Sequence, residues 1–400
     1  MMPATDASKD ETVATSAPLM EEAPPPQPAA KQRLVYLDNL KIVLIAGVIA
    51  CHATLIYGPG GGWLTYHEGH AGILETLILG IPGLLGGLFW LGVFFLIAGM
   101  FVPKSLARKG AWKFSTERLI HLGIPLTFYV VVVMPVLKYA VARALARTAE
   151  SPWAWSARHI IPLDAGPLWF VAALMIFSVA YALYDRLWTD RPRGDAVIRS
   201  RGLILLALAI AVFTFLFRLV WPMYAGQFLG LHLWQWPQFI LLFWAGAWAA
   251  ERGWPTLSDR VWRGCGYAII LTAAAATVLL LAAYTGALPR SPVLYSGGFH
   301  WEAIFAPLVE GVLAVAGSMW LLGFFRRRVN TIVPLGRYLI RSYYGAYVVQ
   351  APVVMGLALA LRWAYIPTEL KFLVVAPLGI VASFVIAYYL VQLPGVRRVL

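Results

Sequence analysis

Two cysteines, Cys51 and Cys265, are all that this 400-residue chain contains, and both stand in apolar surroundings. Neither a disulfide framework nor a zinc cluster can be written from them. Charge is also scarce: Asp, Glu, Lys and Arg make up 13% of the chain, against roughly 25% in a soluble globular protein. Acidic residues are the rarer kind, 19 against 32 Lys and Arg, which leaves a formal net charge of +13. Such an excess admits two partners, nucleic acid or a membrane surface. No basic start followed by an apolar stretch opens the chain, so a cleavable signal peptide is not expected. What abounds is apolar: 60% of residues are hydrophobic, where roughly 45–50% suffices for a soluble fold. The surplus calls for lipid as its solvent. Seventeen Trp and eighteen Tyr agree, because both rings favour the membrane–water interface.

Residues 1–32 are a different material, rich in Pro, Ala, Thr and acidic side chains and without apolar periodicity. This segment is expected to be a disordered cytoplasmic tail, because it cannot bury enough surface to order itself. Residues 33–400 are expected to form one all-α, polytopic transmembrane domain. A crossing takes roughly 20 mostly apolar residues. Ten segments qualify: 35–57, 79–102, 119–142, 167–187, 202–222, 234–250, 266–286, 303–324, 337–361 and 372–392. The stretch 73–102 exceeds one straight crossing, and Pro82 with Gly83 is expected to break it into an interfacial piece and a true span.

Basic residues between the spans orient the chain. With the N-terminus inside, the inner connections hold Lys104, Arg108, Lys109, Lys113 and Arg118, then Arg186, Arg191, Arg193, Arg199 and Arg201. Arg252, Arg260 and Arg263 follow, then Arg326, Arg327, Arg328 and Arg337, with Arg397 and Arg398 at the end. The outer connections hold only Arg143, Arg147, Arg158, Arg290, Arg362 and Lys371. Cytoplasmic loops carry the Lys and Arg excess, so both termini are expected in the cytoplasm. The charge is thus spent on the membrane surface, and no nucleic-acid partner is implied.

Ionisable groups at bilayer depth are costly and mark candidate sites. The first span reads Asp38-Asn-Leu-Lys41, ten further residues, then His52. Eleven residues turn a helix by about 1100°, so Lys41 and His52 project from nearly one line, about 16 Å apart along the axis. Asp38 lies one turn before Lys41. Taken singly, Lys41 and Asp38 could snorkel and cap, and His52 could be a hydrogen-bonded packing residue. Together on one face they favour a polar passage. His is suited to accept a proton from an attacking hydroxyl near neutral pH, and Lys to hold a phosphate-bearing ligand. Further buried candidates are Lys138, Arg218, Glu310, Arg341 and Gln350. Glu310 needs a cation, and either Arg218 or Arg341 would serve. His67, Glu68 and His70 have the wrong spacing for a zinc-binding helix. Cys51 points about 100° away from His52, which argues against a Cys–His pair. The run Gly58-Pro59-Gly60-Gly61-Gly62 reads as a loop, not a phosphate cradle.

These residues carry a likeness. A basic residue, ten positions and a His resembles the first-helix signature of the acyltransferase family 3 membrane proteins. The stretches FFLIAGMFVPKSLARKGAWKFSTERLIHLGIP, PLWFVAALMIFSVAYAL, PQFILLFWAGAWAAERGW and SYYGAYVVQAPVV look like later family segments. The resemblance implies a ten-helix bundle in a bacterial inner membrane, which transfers acyl groups from cytoplasmic acyl-CoA to outward-facing acceptors, often sugars. By the same resemblance His52 is the catalytic base, and Lys41, with Asp38 beside it, takes the basic-residue role. Arg118, Arg108, Lys109 and Arg341 would receive the CoA phosphates. Arg218, Glu310, Tyr347 and Gln350 would face the acceptor. No metal is implied. The chain departs from the family pattern twice: an arginine pair three apart is here Arg118 and His121, and a late His is here Gln350. The subgroup it looks most like includes periplasmic glucan succinyltransferases. A secondary transporter of an anionic or sugar-like substrate is the rival reading. Its usual inverted repeats and paired broken helices are not visible here.

Overall fold

The computed structural model describes residues 1, 34–59, 62–70, 72, 75–159, 163–187, 198–223, 228–252, 257–331 and 335–399. Apart from Met1, the tail over 1–32 lies outside the described residues, as do Gly60, Gly61, Arg191 and Arg193. Where no water reaches the backbone, a segment must satisfy its own N–H and C=O groups, and the helix is the form that does so. Long helices accordingly dominate: α1 (Val35–Tyr57), α2 (Ile81–Lys109), α3 (Ala111–Ala144), α4 (Gly166–Leu187), α5 (Ser200–Arg218), α6 (Trp236–Glu251), α7 (Asp259–Thr285), α8 (Trp301–Arg328), α9 (Gly336–Leu361) and α10 (Thr368–Leu390). The only β-pairing among the described residues is an isolated bridge between Trp63 and Tyr66. The chain is an all-α polytopic membrane protein.

Nine of these helices, among the described residues, are long and apolar enough to cross a membrane. The exception is α6, with 16 residues after a 3₁₀ turn over Leu233–Gln235. It is locked to α2 by two reciprocal glycines. A Cβ on Gly99 would stand 2.0 Å from the Phe243 carbonyl oxygen, and one on Gly246 would stand 2.1 Å from that of Leu96. Small residues facing each other let helix backbones approach this closely, and van der Waals contact then holds them.

Proline does not break the helices as expected. The segment before α2 continues it as a π-helical turn, Thr76–Gly80, and Pro82 follows directly. The expected interruption at Pro82 and Gly83 is therefore absent. The same device recurs in α3, where the π turns Leu119–Gly123 and Tyr129–Val133 precede Pro125 and Pro135. Proline clashes with the carbonyl four residues back and offers it no N–H. In α3 that carbonyl (His121 for Pro125, Val131 for Pro135) falls inside the widened turn, which makes room for the ring. The His121 carbonyl finds a substitute donor in the Tyr344 hydroxyl of α9, at 3.3 Å.

Side-chain bonds sort the helix ends into two groups. At the Lys41 end, Asn39 of α1 donates to the carbonyls of Val329 and Thr331 at the end of α8 (2.8 and 3.1 Å). Arg327 of α8 pairs with Asp259 of α7 at 2.7 Å, and Lys109 pairs with Glu117 across the α2–α3 corner. At the His52 end, Thr368 of α10 donates to Glu75 ahead of α2, and Arg362 after α9 donates to the Ala144 carbonyl of α3. The helices differ in burial. Among the central residues of α2 and α4, 61% are buried, but only 17% in α5 and 11% in α7. Both of the last two pack against α8 and leave apolar faces that need lipid.

Candidate functional site

The unbroken α1 carries both Lys41 and His52, so their axial separation of about 16 Å stands. His52 Nδ1 lies 3.0 Å from Oε1 of Gln350, a fully buried residue of α9. A carbonyl oxygen only accepts, so this contact puts the neutral imidazole proton on Nδ1 and leaves the Nε2 lone pair as the basic site. The amide nitrogen of Gln350 is itself buried and has no hydrogen-bond partner among the described residues. It is a donor held beside the imidazole with nothing to bond.

The face of the His52 ring is covered by Trp63, stacked at 4.5 Å and 15°. Trp63 reaches that place because the loop after α1 folds back on it. The amides of Glu68 and Gly69 both donate to the Ile56 carbonyl (2.9 and 3.2 Å), and a His67 ring nitrogen bonds the Gly58 carbonyl at 2.8 Å. Gly69 is needed there, since a Cβ on it would stand 2.3 Å from the Gly58 carbonyl oxygen. Lys371 of α10 pairs with Glu68, and Arg147 donates to the Thr65 carbonyl at 2.8 Å. Tyr66 also donates to Glu68; burial and that carboxylate push its phenol well above the ordinary range, so it keeps its proton. His70 faces Glu75 at 3.6 Å. The His67–Glu68–His70 cluster is thus engaged in fastening the loop.

At the other end of α1, Lys41 lies 3.7 Å from Asp38 and over the rings of Phe101 (5.1 Å) and Tyr343 (5.7 Å). Arg118 lies 5.2 Å over the Phe114 ring and interacts electrostatically with the same Tyr343. Lys41 thus sits between Asp38 and the Tyr343 ring, and Arg118 is coupled electrostatically to the same tyrosine. Lys109 is committed to Glu117, while Arg108 and Arg341 are exposed.

The other sequence candidates separate. Tyr347 is buried, donates its hydroxyl to the Pro167 carbonyl and packs edge-on against Phe170 at 6.0 Å. Glu310 takes Arg218, not Arg341, as its partner, and the two side chains are 0% and 1% exposed. The Arg218 guanidinium also lies 4.9 Å over the Trp234 ring. Lys138 pairs with Asp164 at 2.7 Å. The Cys51 thiol turns to the Gly83 carbonyl at 3.3 Å, away from the His52–Gln350 contact.

Two residues at His52, Trp63 and His232, were not singled out from the sequence, nor was Asp164, which is linked to His232. His232 interacts electrostatically with both His52 and Asp164, and stacks obliquely on Trp169 at 4.9 Å. Burial holds the His232 imidazole below its ordinary range, so it is a neutral neighbour. Its backbone is left-handed (φ +45°), as is Leu229 (φ +51°), an uncommon conformation for residues with a side chain. The turn is pinned to the Asp164 loop by the Ala165 amide, which donates to the Leu229 carbonyl at 3.4 Å. The run Gly-Leu-His-Leu-Trp offered one sequence signal, a His between two spans.

A polytopic helical bundle whose first helix carries His52 at one end and Lys41 at the other is the frame against which the family comparison stands. The chain belongs to acyltransferase family 3: the family's acyltransferase-domain model matches residues 34–392. It is a membrane acyltransferase. No curated protein and no solved structure matches the chain.

Proposed function

We propose that this enzyme moves an acetyl or succinyl group from cytoplasmic acyl-CoA to a hydroxyl of an extracytoplasmic saccharide, across a bacterial inner membrane, with both of its own termini in the cytoplasm. The observation that carries the reading is the single helix bearing Lys41 at one end and, about 16 Å along it, an imidazole whose Nδ1 is committed to Gln350. Lys41 and Arg118, around Tyr343, offer charge to the CoA phosphates, with Arg108, Lys109 and Arg341 nearer the rim. The pantetheine arm extends toward His52. His52 Nε2 takes the proton of the acceptor hydroxyl as its oxygen attacks the thioester carbonyl. The tetrahedral oxygen gains negative charge there, and in this reading the amide N–H of Gln350, which has no partner among the described residues, donates to it. Collapse breaks the C–S bond, and the departing thiolate recovers the proton from His52. Trp63 keeps bulk water from the ring face, which favours transfer over hydrolysis of the thioester. Asp164 and His232 offer polar groups to the acceptor on this side.

Mass spectrometry of envelope glycans from cells expressing the wild type or His52→Ala tests the reading. An acetyl- or succinyl-sized increment that appears only with the wild type supports it and identifies the donor. Increments that persist in the variant remove His52 from the chemistry. Unchanged glycans in both cultures would exclude a saccharide acceptor. The transport reading gains nothing from family membership. Counterflow of a sugar phosphate in vesicles with equal rates for wild type and His52→Ala would be needed to revive it.

A further inference from the structure

A cavity of about 850 Å³ opens at the Lys41 end of the bundle, on the side of α2 that faces α5, α6 and α8. It is separate from the group around Tyr343, and neither His52 nor Lys41 lines it. Its two parts differ in chemistry. The rim carries Arg199, Arg201, Arg326 and Arg327, contributed by the approach to α5, by α5 itself and by the end of α8. The depth is apolar, walled by Met100, Leu206, Trp248 and Met319 from four helices.

The rim charges are largely uncompensated. Arg327 is neutralised by Asp259 at 2.7 Å and lies over Trp262. Arg199, Arg201 and Arg326 have no acidic partner among the described residues. Arginines at a helix end need only headgroup water to be content, so the charges alone prove little. An apolar trough directly behind them changes the argument, because hydrated charge and hydrocarbon surface are offered to one occupant. A volume near the top of the usual ligand-site range must be filled by something with matching ends.

We infer that this cavity holds an anionic membrane phospholipid, its phosphate at Arg199, Arg201 and Arg326 and one acyl chain along the trough beside Leu206 and Met319. The bilayer is the nearest source. Ile204 and Leu205, on the same turns of α5, are 58% and 67% exposed, so the mouth adjoins a lipid-facing surface. Phosphate is read by guanidinium groups through paired N–H donors, and each such cation near an anionic lipid surface adds about tenfold or less to retention. The site is far from the imidazole, so its lipid stabilises the α2–α5–α6–α8 contact and is not the acyl acceptor. The inference does not depend on the proposed donor or acceptor.

Native mass spectrometry of the full-length protein, titrated in detergent with phosphatidylglycerol, phosphatidylethanolamine or palmitoyl-CoA, tests it. Wild type should retain one phosphatidylglycerol at least about tenfold more strongly than phosphatidylethanolamine. Arg199→Ser/Arg201→Ser/Arg326→Ser should lose that preference, and the corresponding triple Lys variant should keep most of it, which separates lost charge from lost folding. Leu206→Trp, which fills the trough, should weaken both lipids alike. Equal retention of the two lipids by the wild type, or a preference that survives the Ser variant, overturns the inference. Displacement of phosphatidylglycerol by palmitoyl-CoA at lower concentration would also overturn it, by making the cavity a site for the acyl donor.

Discussion

Two polar pairs inside the bundle, one fully buried and one half-buried, join distant parts of this protein, and they are built to opposite ends. In the first, Arg218 of α5 meets Glu310 of α8, both out of contact with solvent, and each charge cancels the other. In the second, His52 of α1 meets Gln350 of α9, and the partner cannot ionise. An amide orients the imidazole without supplying a charge that would hold a proton there. The ion pair cancels its charge through one contact and leaves Nε and Nη1 of Arg218 and Oε1 of Glu310 without a hydrogen-bond partner among the described residues, whereas the His–Gln pair holds no formal charge and leaves only the Gln350 amide nitrogen without one. The proposed proton acceptor has the second design, and the pair that joins α5 to α8 has the first.

This contrast can be broken most severely at the base. His52→Ala should lower the rate of acyl transfer by about 10²–10⁴-fold, with little change in the melting temperature measured in detergent. Next comes the clamp. Arg218→Leu should cost about 3–5 kcal/mol by leaving the Glu310 charge buried and alone, and Arg218→Leu/Glu310→Leu should recover most of that loss in thermal unfolding. Recovery sharpens the distinction; a double variant that is stable yet inactive would instead place the pair in the reaction. Gln350→Leu should reduce kcat by roughly 10–100-fold without raising KM for the donor, since it removes one orienting acceptor and one oxyanion donor. The smallest effect is expected at Trp63→Ala, a loss of roughly 2–10-fold in transfer from the stacking contact, together with more thioester hydrolysis in the absence of acceptor. An unchanged ratio of hydrolysis to transfer would reduce Trp63 to packing.

Much of this architecture is legible in the sequence because membrane helices are specified locally. A long apolar run bounded by Arg or Lys names a span, and eleven-residue spacing places Lys41 and His52 on one line of a helix. Pairings across the bundle are not local. Gln350 lies 298 positions from His52 and Glu310 lies 92 from Arg218, so residue type could nominate the participants but could not match them. Glu310 had two cations to choose from, and only packing excluded Arg341. Trp63 was hidden among other interfacial tryptophans until the loop folded back on α1. Pro82 misled for a physical reason: a proline signals a break in an ordinary helix, and the π turn that precedes it here has no clear signature in composition.

The interlocked glycines of α2 and α6 have a bearing on how the protein can move. With Gly99 and Gly246 each lodged against the other helix's carbonyls, the pair cannot slide or roll without a collision, and the two helices travel as one plank. The turn carrying His232 is attached to that plank through the 3₁₀ turn Leu233–Gln235, and Trp90 of α2 lies across Gly47 of α1, tying in the helix that bears His52. A plank of this kind leaves no freedom between α2 and α6, so any rearrangement of the bundle must carry both helices together.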